Sequence, residues 1–141
     1  MKLERRTYGP ESSPGEIKAI KDRIYLRASD VVMYEELQVQ SVFHLDLFEE
    51  KLHELARGLR SYGLLIDLTE AEFPGAEIRA RLKRLFASQA KLRAIAVYTG
   101  RNFLINAAAK YVLNEPYLPP FSVHTTEEEA LAALARIAKA S

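Results

Sequence analysis

Residues 64–98 run LLIDLTEAEFPGAEIRARLKRLFASQAKLRAIAVY. The stretch opens on Leu64-Leu65-Ile66, an uninterrupted apolar run closed by Asp67, and ends on Arg93-Ala94-Ile95-Ala96-Val97-Tyr98. Short runs of this kind suit strands buried on both faces of a sheet. Between them Pro74-Gly75 punctuates a loop. From about Glu77 onward, Ile78, Leu82, Leu85 and Phe86 fall on one face of a helix. Strand, helix and strand at this spacing predict a βαβ unit with parallel strands.

Toward the C-terminus, Thr99-Gly100-Arg101-Asn102 turns into a further helix whose apolar face is expected at Phe103, Leu104, Ala107, Ala108, Tyr111 and Val112. Pro116, Pro119 and Pro120 exclude a helix from residues 114–120. Phe121–His124 can form a strand. Thr125 and Glu128 then have capping-box spacing before a last helix with an apolar stripe of Ala130, Leu131, Leu134 and Ile137 or Ala138. Its charges follow the helix dipole, with Glu127, Glu128 and Glu129 at the start and Arg136 and Lys139 at the end.

Toward the N-terminus, Phe48, Leu52, Leu55, Ala56 and Leu59 recur at helical spacing, and Asp46 with Glu49 predicts a helix start near Asp46. Residues 36–44 are ambiguous, with an alternation at Leu37, Val39 and Phe43 that suits an extended strand. Arg23–Ala28 and Val31–Glu35 read as a hairpin around Ser29-Asp30. Gly9, Pro10, Ser12, Ser13, Pro14 and Gly15 make residues 1–15 a flexible N-terminal tail, with a short extended piece at Ile17–Ile20. The expected fold is α/β, in the order β-β-α-β-α-β-α-β-α, with a mixed, mostly parallel sheet in a single domain over residues 16–141.

The chain's 141 residues match one ordinary domain. A domain of this length buries roughly 70% of its unfolded surface and needs no disulfide or metal staple. The absence of cysteine excludes disulfides, thiolate metal sites and cysteine nucleophiles. Twenty Lys and Arg against nineteen Asp and Glu give a formal charge of +1, which does not indicate a nucleic-acid binder. No run of ~18 apolar residues predicts a membrane span. The charged N-terminus (Lys2, Glu4, Arg5, Arg6) does not resemble a secretory signal, so a cytoplasmic location is expected.

Residues 67–82, Asp-Leu-Thr-Glu-Ala-Glu-Phe-Pro-Gly-Ala-Glu-Ile-Arg-Ala-Arg-Leu, align without a gap to a pattern of the form D-L-S-x-V-x-F-I-D-S-S-G-L-G-x-L. Residues 121–131, Phe-Ser-Val-His-Thr-Thr-Glu-Glu-Glu-Ala-Leu, resemble an ending of the form F-x-x-x-x-x-E-E-A-L, with one residue more between the Phe and the E-E-A-L. Together with the element order, these stretches resemble the anti-sigma-factor-antagonist family, the STAS domains, and in particular their divergent SpoIIAA-like branch. The resemblance implies a STAS-like regulatory domain that acts by protein–protein contact. It places the partner surface on the loop after the 64–67 strand and on the following helix: Thr69, Glu70, Gly75, Ala76, Arg79, Lys83 and Arg84. Regulatory members carry a phosphorylatable serine at the start of this helix. Ala76 occupies that position here, so no phospho-switch is expected at residue 76.

The remaining chemistry is sparse. His44, His53 and His124 have no metal-binding spacing, and no metal or cofactor is expected. His53 falls on a solvated helix face, and His124 suits a local turn or capping role. Asp67 is either a base or gate at the loop end of the sheet or, as the commoner case, an acceptor that fixes the following loop. Thr99, Gly100, Arg101 and Asn102 form either an anion site at a helix N-terminus or an ordinary capped turn. Residues 77–93 hold Arg79, Arg81, Lys83, Arg84, Lys91 and Arg93 against one acid, Glu77, as a solvated face or a dock for an acidic protein partner or anionic lipid heads. Without a nucleophile elbow, paired carboxylates or a kinase signature, an enzyme is not expected. The leading expectation is a non-enzymatic interaction domain with an acidic protein partner. The alternative is a small apolar or lipid-like ligand in a cleft near Tyr98, Tyr111 and Phe121, its acidic head on Arg101. Self-association is left open.

Overall fold

The computed structural model describes the backbone of residues 1–140 and the side chains of residues 1–137. Five strands form one sheet in the order β1-β2-β3-β4-β5: β1 Ile24–Ala28, β2 Val31–Glu35, β3 Tyr62–Asp67, β4 Leu92–Tyr98 and β5 Phe121–His124. β1 is antiparallel to β2, and every other pair is parallel. The expected α/β layout is therefore present, a mixed and mostly parallel sheet. Five helices accompany it: α1 Pro14–Lys21, α2 Val42–Ala56, α3 Ala76–Ala87, α4 Phe103–Leu113 and α5 Glu127–Ala140.

Period-two alternation divides the strands between two cores. Val32 and Tyr34 of β2, Leu64 and Ile66 of β3, and Ile95 and Val97 of β4 face one side. There they meet Leu45, Phe48 and Leu52 of α2, Leu85 and Phe86 of α3, and Ala109 and Leu113 of α4. Met33, Leu65, Ala94, Ala96 and Tyr98 face the other side, against Ala130 and Leu134 of α5. Leu64 and Leu65 are adjacent yet both fully buried, one in each core, which is why this run shows no polar alternation. Each such side chain contributes roughly 1.5–3 kcal/mol on burial. Three helices crowd one face and one covers the other. On the α5 side, Ala94, Ala96 and Gly63 leave room for a close approach. A Cβ on Gly63 would lie 3.0 Å from Leu134 Cδ2.

The N-terminal region departs from expectation. Residues 1–15 do not make a free tail, and Ile17–Ile20 is helical rather than extended. Ser13 caps α1 in a full capping box with Glu16, and Pro14 occupies the first turn. Tyr8 is only 3% exposed and forms a third cluster with Ile20, Leu37 and Leu47. α2 likewise begins before Asp46. Its N-cap is Ser41, whose side chain accepts the His44 N–H while the His44 ring accepts the Ser41 N–H. At α5 the capping hydroxyl belongs to Thr126, which accepts the Glu129 N–H at 3.3 Å, rather than to Thr125. Ala138 and Lys139, assigned to that helix's stripe and basic end, lie outside the residues whose side chains are described.

Candidate functional site

A buried polar cluster lies where β2 gives way to α2. Tyr34, the fourth residue of β2, points inward, and its ring stacks on Phe48 with centroids 3.8 Å apart. Glu36 follows two residues later on the same side and is 3% exposed. His44, in the first turn of α2, is 1% exposed. Its Nε2 lies 2.8 Å from Glu36 Oε1 and 2.7 Å from the Tyr34 hydroxyl. Its Nδ1 accepts the Ser41 N–H at 3.4 Å. Because Nδ1 is an acceptor, the proton of the neutral ring belongs on Nε2, where it faces Glu36 Oε1 and the Tyr34 oxygen. Glu36 Oε1 also accepts the Leu37 N–H at 2.7 Å. Burial, and then the neighbouring Glu36 carboxylate, push the Tyr34 hydroxyl well above its usual range, so it keeps its proton. Ser41 extends the network outward by donating to the Tyr8 carbonyl at 2.8 Å.

This cluster borders a narrow cavity of about 60 Å³ between the sheet, α3 and α4. Tyr34, Glu36, Gln40 and Glu72 supply its polar lining residues. The rest of the wall is apolar, including Ile66, Leu82, Phe86, Val97, Ile105 and Val112. The sequence did not single out Tyr34, Glu36, Gln40 or His44. The available signal was a cluster of polar residues beside an apolar strand, followed by a Ser-x-x-His start to a helix.

The predicted partner residues do share one region. Gly75 is the N-cap of α3, without a side-chain capping bond, and Ala76 is its first residue. Thr69 and Glu70 lie in the preceding loop, and Asp67 fixes it by accepting the Thr69 N–H at 2.8 Å and the Thr69 hydroxyl at 2.7 Å. The guanidinium of Arg79 lies 5.6 Å from the Phe73 ring centre and donates to the Pro74 carbonyl. Lys83 Nζ lies 5.2 Å from the Tyr111 ring centre and 2.9 Å from Glu115. Arg84 is exposed. The basic run is partly neutralised from within: Arg81 pairs with Asp46 and Glu49, and Arg93 with Asp30. Among the described residues, Arg79, Arg84, Arg101 and Lys110 have no carboxylate partner.

The predicted ligand residues are dispersed. Tyr98 belongs to the α5-side core, where burial and Asp67 hold its hydroxyl protonated. Phe121 packs into the opposite core, and Tyr111 is 69% exposed. These three do not line one cleft. The phase assigned to α4 also needs correction. Its buried residues are Ile105, Ala108, Ala109, Val112 and Leu113, whereas Phe103, Leu104, Ala107 and Tyr111 face outward. Apolar side chains surround the helix, so periodicity alone could not set its phase. In the turn before it, Gly100 has φ +60, Thr99 is buried, and the Asn102 side chain accepts the Ile105 N–H at 3.2 Å, using a donor that an anion would need. Arg101 is exposed.

His53 is exposed and lies 3.1 Å from the Gln89 amide. His124 Nε2 lies 2.7 Å from the Ser122 hydroxyl, and partial burial lowers its pKa. Among the described residues, no three His, Cys, Asp or Glu side chains group as metal ligands, and no helix is long and apolar enough to cross a membrane. No protein-family model, curated protein or solved structure matches the chain.

Proposed function

We propose that this chain is a STAS-like interaction domain that docks an acidic protein partner through the face formed by α3, α4 and the loop before α3. The observation that carries the reading is the exposed apolar stripe on α4. Phe103 is 82% exposed, Leu104 65%, and Tyr111 lies two turns further along. Phe73, 51% exposed, lies beside Arg79 in the loop before α3. Large contiguous apolar surface mixed with aromatic and Arg side chains favours a protein interface. The flanking charges select the partner. Among the described residues, Arg79, Arg84, Arg101 and Lys110 meet no carboxylate, so a complementary surface presents acids around an apolar centre. A symmetric contact with a second copy would instead bring these like charges together. With alanine at position 76, phosphorylation there cannot switch such a contact.

The test starts with a photo-crosslinker in place of Ala107 in a native extract, followed by purification of the captured partner. The expected result is a complex that weakens with salt and loses at least tenfold in affinity on charge reversal of Arg79, Lys83 and Arg84, or on Phe103→Ser. A partner whose binding ignores both sets of changes overturns the reading. So does crosslinking solely to a second copy of the chain, or solely to lipid.

A further inference from the structure

We infer that the partner meets this face with an acidic amphipathic α-helix, which seats one large apolar side chain on Ala107 between Phe103 and Tyr111. The inference rests on the docking reading and adds the form of the partner's contacting element.

α4 has two apolar faces. Ile105, Ala108, Ala109, Val112 and Leu113 are buried in the chain's own core. Phe103, Leu104, Ala107 and Tyr111 are exposed. At ~100° per residue these four fall within an arc of roughly 100° on the opposite side. A helix ordinarily presents one apolar stripe of about that width to whatever it packs on. The outer stripe of α4 therefore has the dimensions of a helix-packing face, and the described residues leave it open to solvent.

The stripe favours a helix over an extended segment. Phe103, Ala107 and Tyr111 stand at i, i+4 and i+8, the row that forms a ridge in helix packing. Ala107 is small between two aromatic side chains, so the ridge is notched at its centre. A leucine or methionine from a facing helix fits such a notch, as side chains of packed helices interdigitate. An extended segment instead draws affinity from main-chain pairing with an open sheet edge. α4 offers no such edge, because the backbone groups of a helix interior are bonded within the helix. A strand laid across the stripe would set its own N–H and C=O groups against apolar carbon, whereas a helix brings them already paired.

Charge sets the flanks of the partner helix. Arg101 precedes the Phe103 end of the stripe, and Lys110 lies seven residues after Phe103, on the same side two turns along. Both are exposed, and among the described residues neither meets a carboxylate. Lys83, beside the Tyr111 ring, is already held by Glu115 at 2.9 Å. Aspartate or glutamate bordering the partner's apolar row complements Arg101 and Lys110.

The experiment uses the full chain, labelled with 15N and 13C-methyl groups, and four synthetic peptides of roughly 18 residues, above the ~12–15 at which isolated helices become marginal. The first carries leucines on one helical face and glutamates and alanines on the others. The second has the same composition with the leucines spread around the helix. The third is the first with a central proline, which breaks the helix. The fourth is the first with lysine in place of glutamate. The first is expected to shift the methyl signals of Leu104 and Ala107 and the amides of Phe103 and Tyr111. It should weaken as salt is raised and bind at least tenfold more tightly than each of the other three. Ala107→Gln fills the notch from an exposed position, so the chain stays folded, and it should cost at least tenfold in affinity for the first peptide. Equal binding of the second or the proline peptide, or no loss with Ala107→Gln, overturns the helix while leaving the docking face in place. Equal binding of the lysine peptide overturns the acidic partner, and the docking reading with it. No shift on α4 with any peptide at millimolar concentration overturns the helical occupant, and the crosslink through position 107 then decides the docking reading on its own.

Discussion

His44 Nε2 and Glu36 Oε1 lie 2.8 Å apart in a region where both side chains are almost wholly buried. Burial of a carboxyl group is costly unless donors meet it, and here a ring N–H and the Leu37 backbone N–H do so. The pair should therefore be strongly coupled. His44→Leu removes the ring donor and the reciprocal cap on Ser41, at an expected cost of roughly 2–4 kcal/mol. In the double variant His44→Leu with Glu36→Gln the two losses should add to less than their sum, because the second change removes the carboxylate that the first strands. Urea denaturation of the four proteins checks this. Additive losses would mean that the two groups do not support each other.

The same site contains space that packing would ordinarily eliminate. The cavity of about 60 Å³ is lined largely by apolar side chains, and filling it removes that surface from water. Ala108→Leu directs three more carbons toward it and should stabilise the chain by about 1 kcal/mol, observed as a higher urea midpoint at an unchanged slope. A lower midpoint would show that the cavity cannot accept a branched side chain without strain.

The parts of the sequence that could be read differ physically from those that could not. Strands β3 and β4 are legible because both faces of the sheet are covered, which leaves continuous apolar runs around Leu64-Leu65-Ile66 and Ala94–Tyr98. α1 carried a legible signal, Ser13-Pro14-Gly15-Glu16, but turn-forming residues nearby obscured it. The start of α2 was misplaced because His44 fills the position usually held by Glu or Gln in the reciprocal cap. The phase of α4 could not be read because Phe103, Leu104 and Tyr111 face solvent while small Ala108 and Ala109 face the core. The buried cluster of Tyr34, Glu36 and His44 was the least accessible to sequence. Glu36 is separated from His44 by a loop, and only tertiary packing brings the two together.

The N-terminal segment should behave as part of the folded unit. Tyr8 is buried, its hydroxyl accepts the Glu4 N–H at 2.8 Å, and its carbonyl receives the Ser41 hydroxyl that caps α2. Tyr8→Ala should cost roughly 3 kcal/mol, within the range for large aromatic truncations in a core. Deleting residues 1–13 should cost at least as much, since it also removes the Ser13 cap of α1. Chemical denaturation measures both. A deletion that leaves the midpoint unchanged would return this segment to the status of a dispensable tail.

Gly63 tests the close approach of α5 to the sheet. It has ordinary strand geometry, so its importance is spatial: an added Cβ would meet Leu134 at 3.0 Å. Gly63→Val should cost about 1–3 kcal/mol through overpacking. Combining it with Leu134→Ala should recover part of the loss, because the smaller side chain vacates the contested space. Thermal denaturation of both proteins is the measurement, and no recovery in the double variant would place the strain elsewhere.

Alkaline pH should unfold the chain through its buried tyrosines. The Tyr25 hydroxyl donates to Glu35 at 2.7 Å, and burial with this carboxylate pushes its pKa up to about 12. Burial also pushes Tyr62 up to about 12, while Tyr34 and Tyr98 move in the same direction. In the unfolded chain a tyrosine titrates near pH ~10. Below that pH both states hold these protons, and the contribution to stability is fully present. Between about pH 10 and 12 the unfolded chain releases protons that the folded chain retains, so stability falls as pH rises. The expected record is a late rise in tyrosinate absorbance that coincides with loss of helical circular dichroism. Tyr25→Phe should make stability less steeply dependent on pH over this window. If the absorbance change is complete near pH 10 while the helices persist, these hydroxyls are not held in the way described.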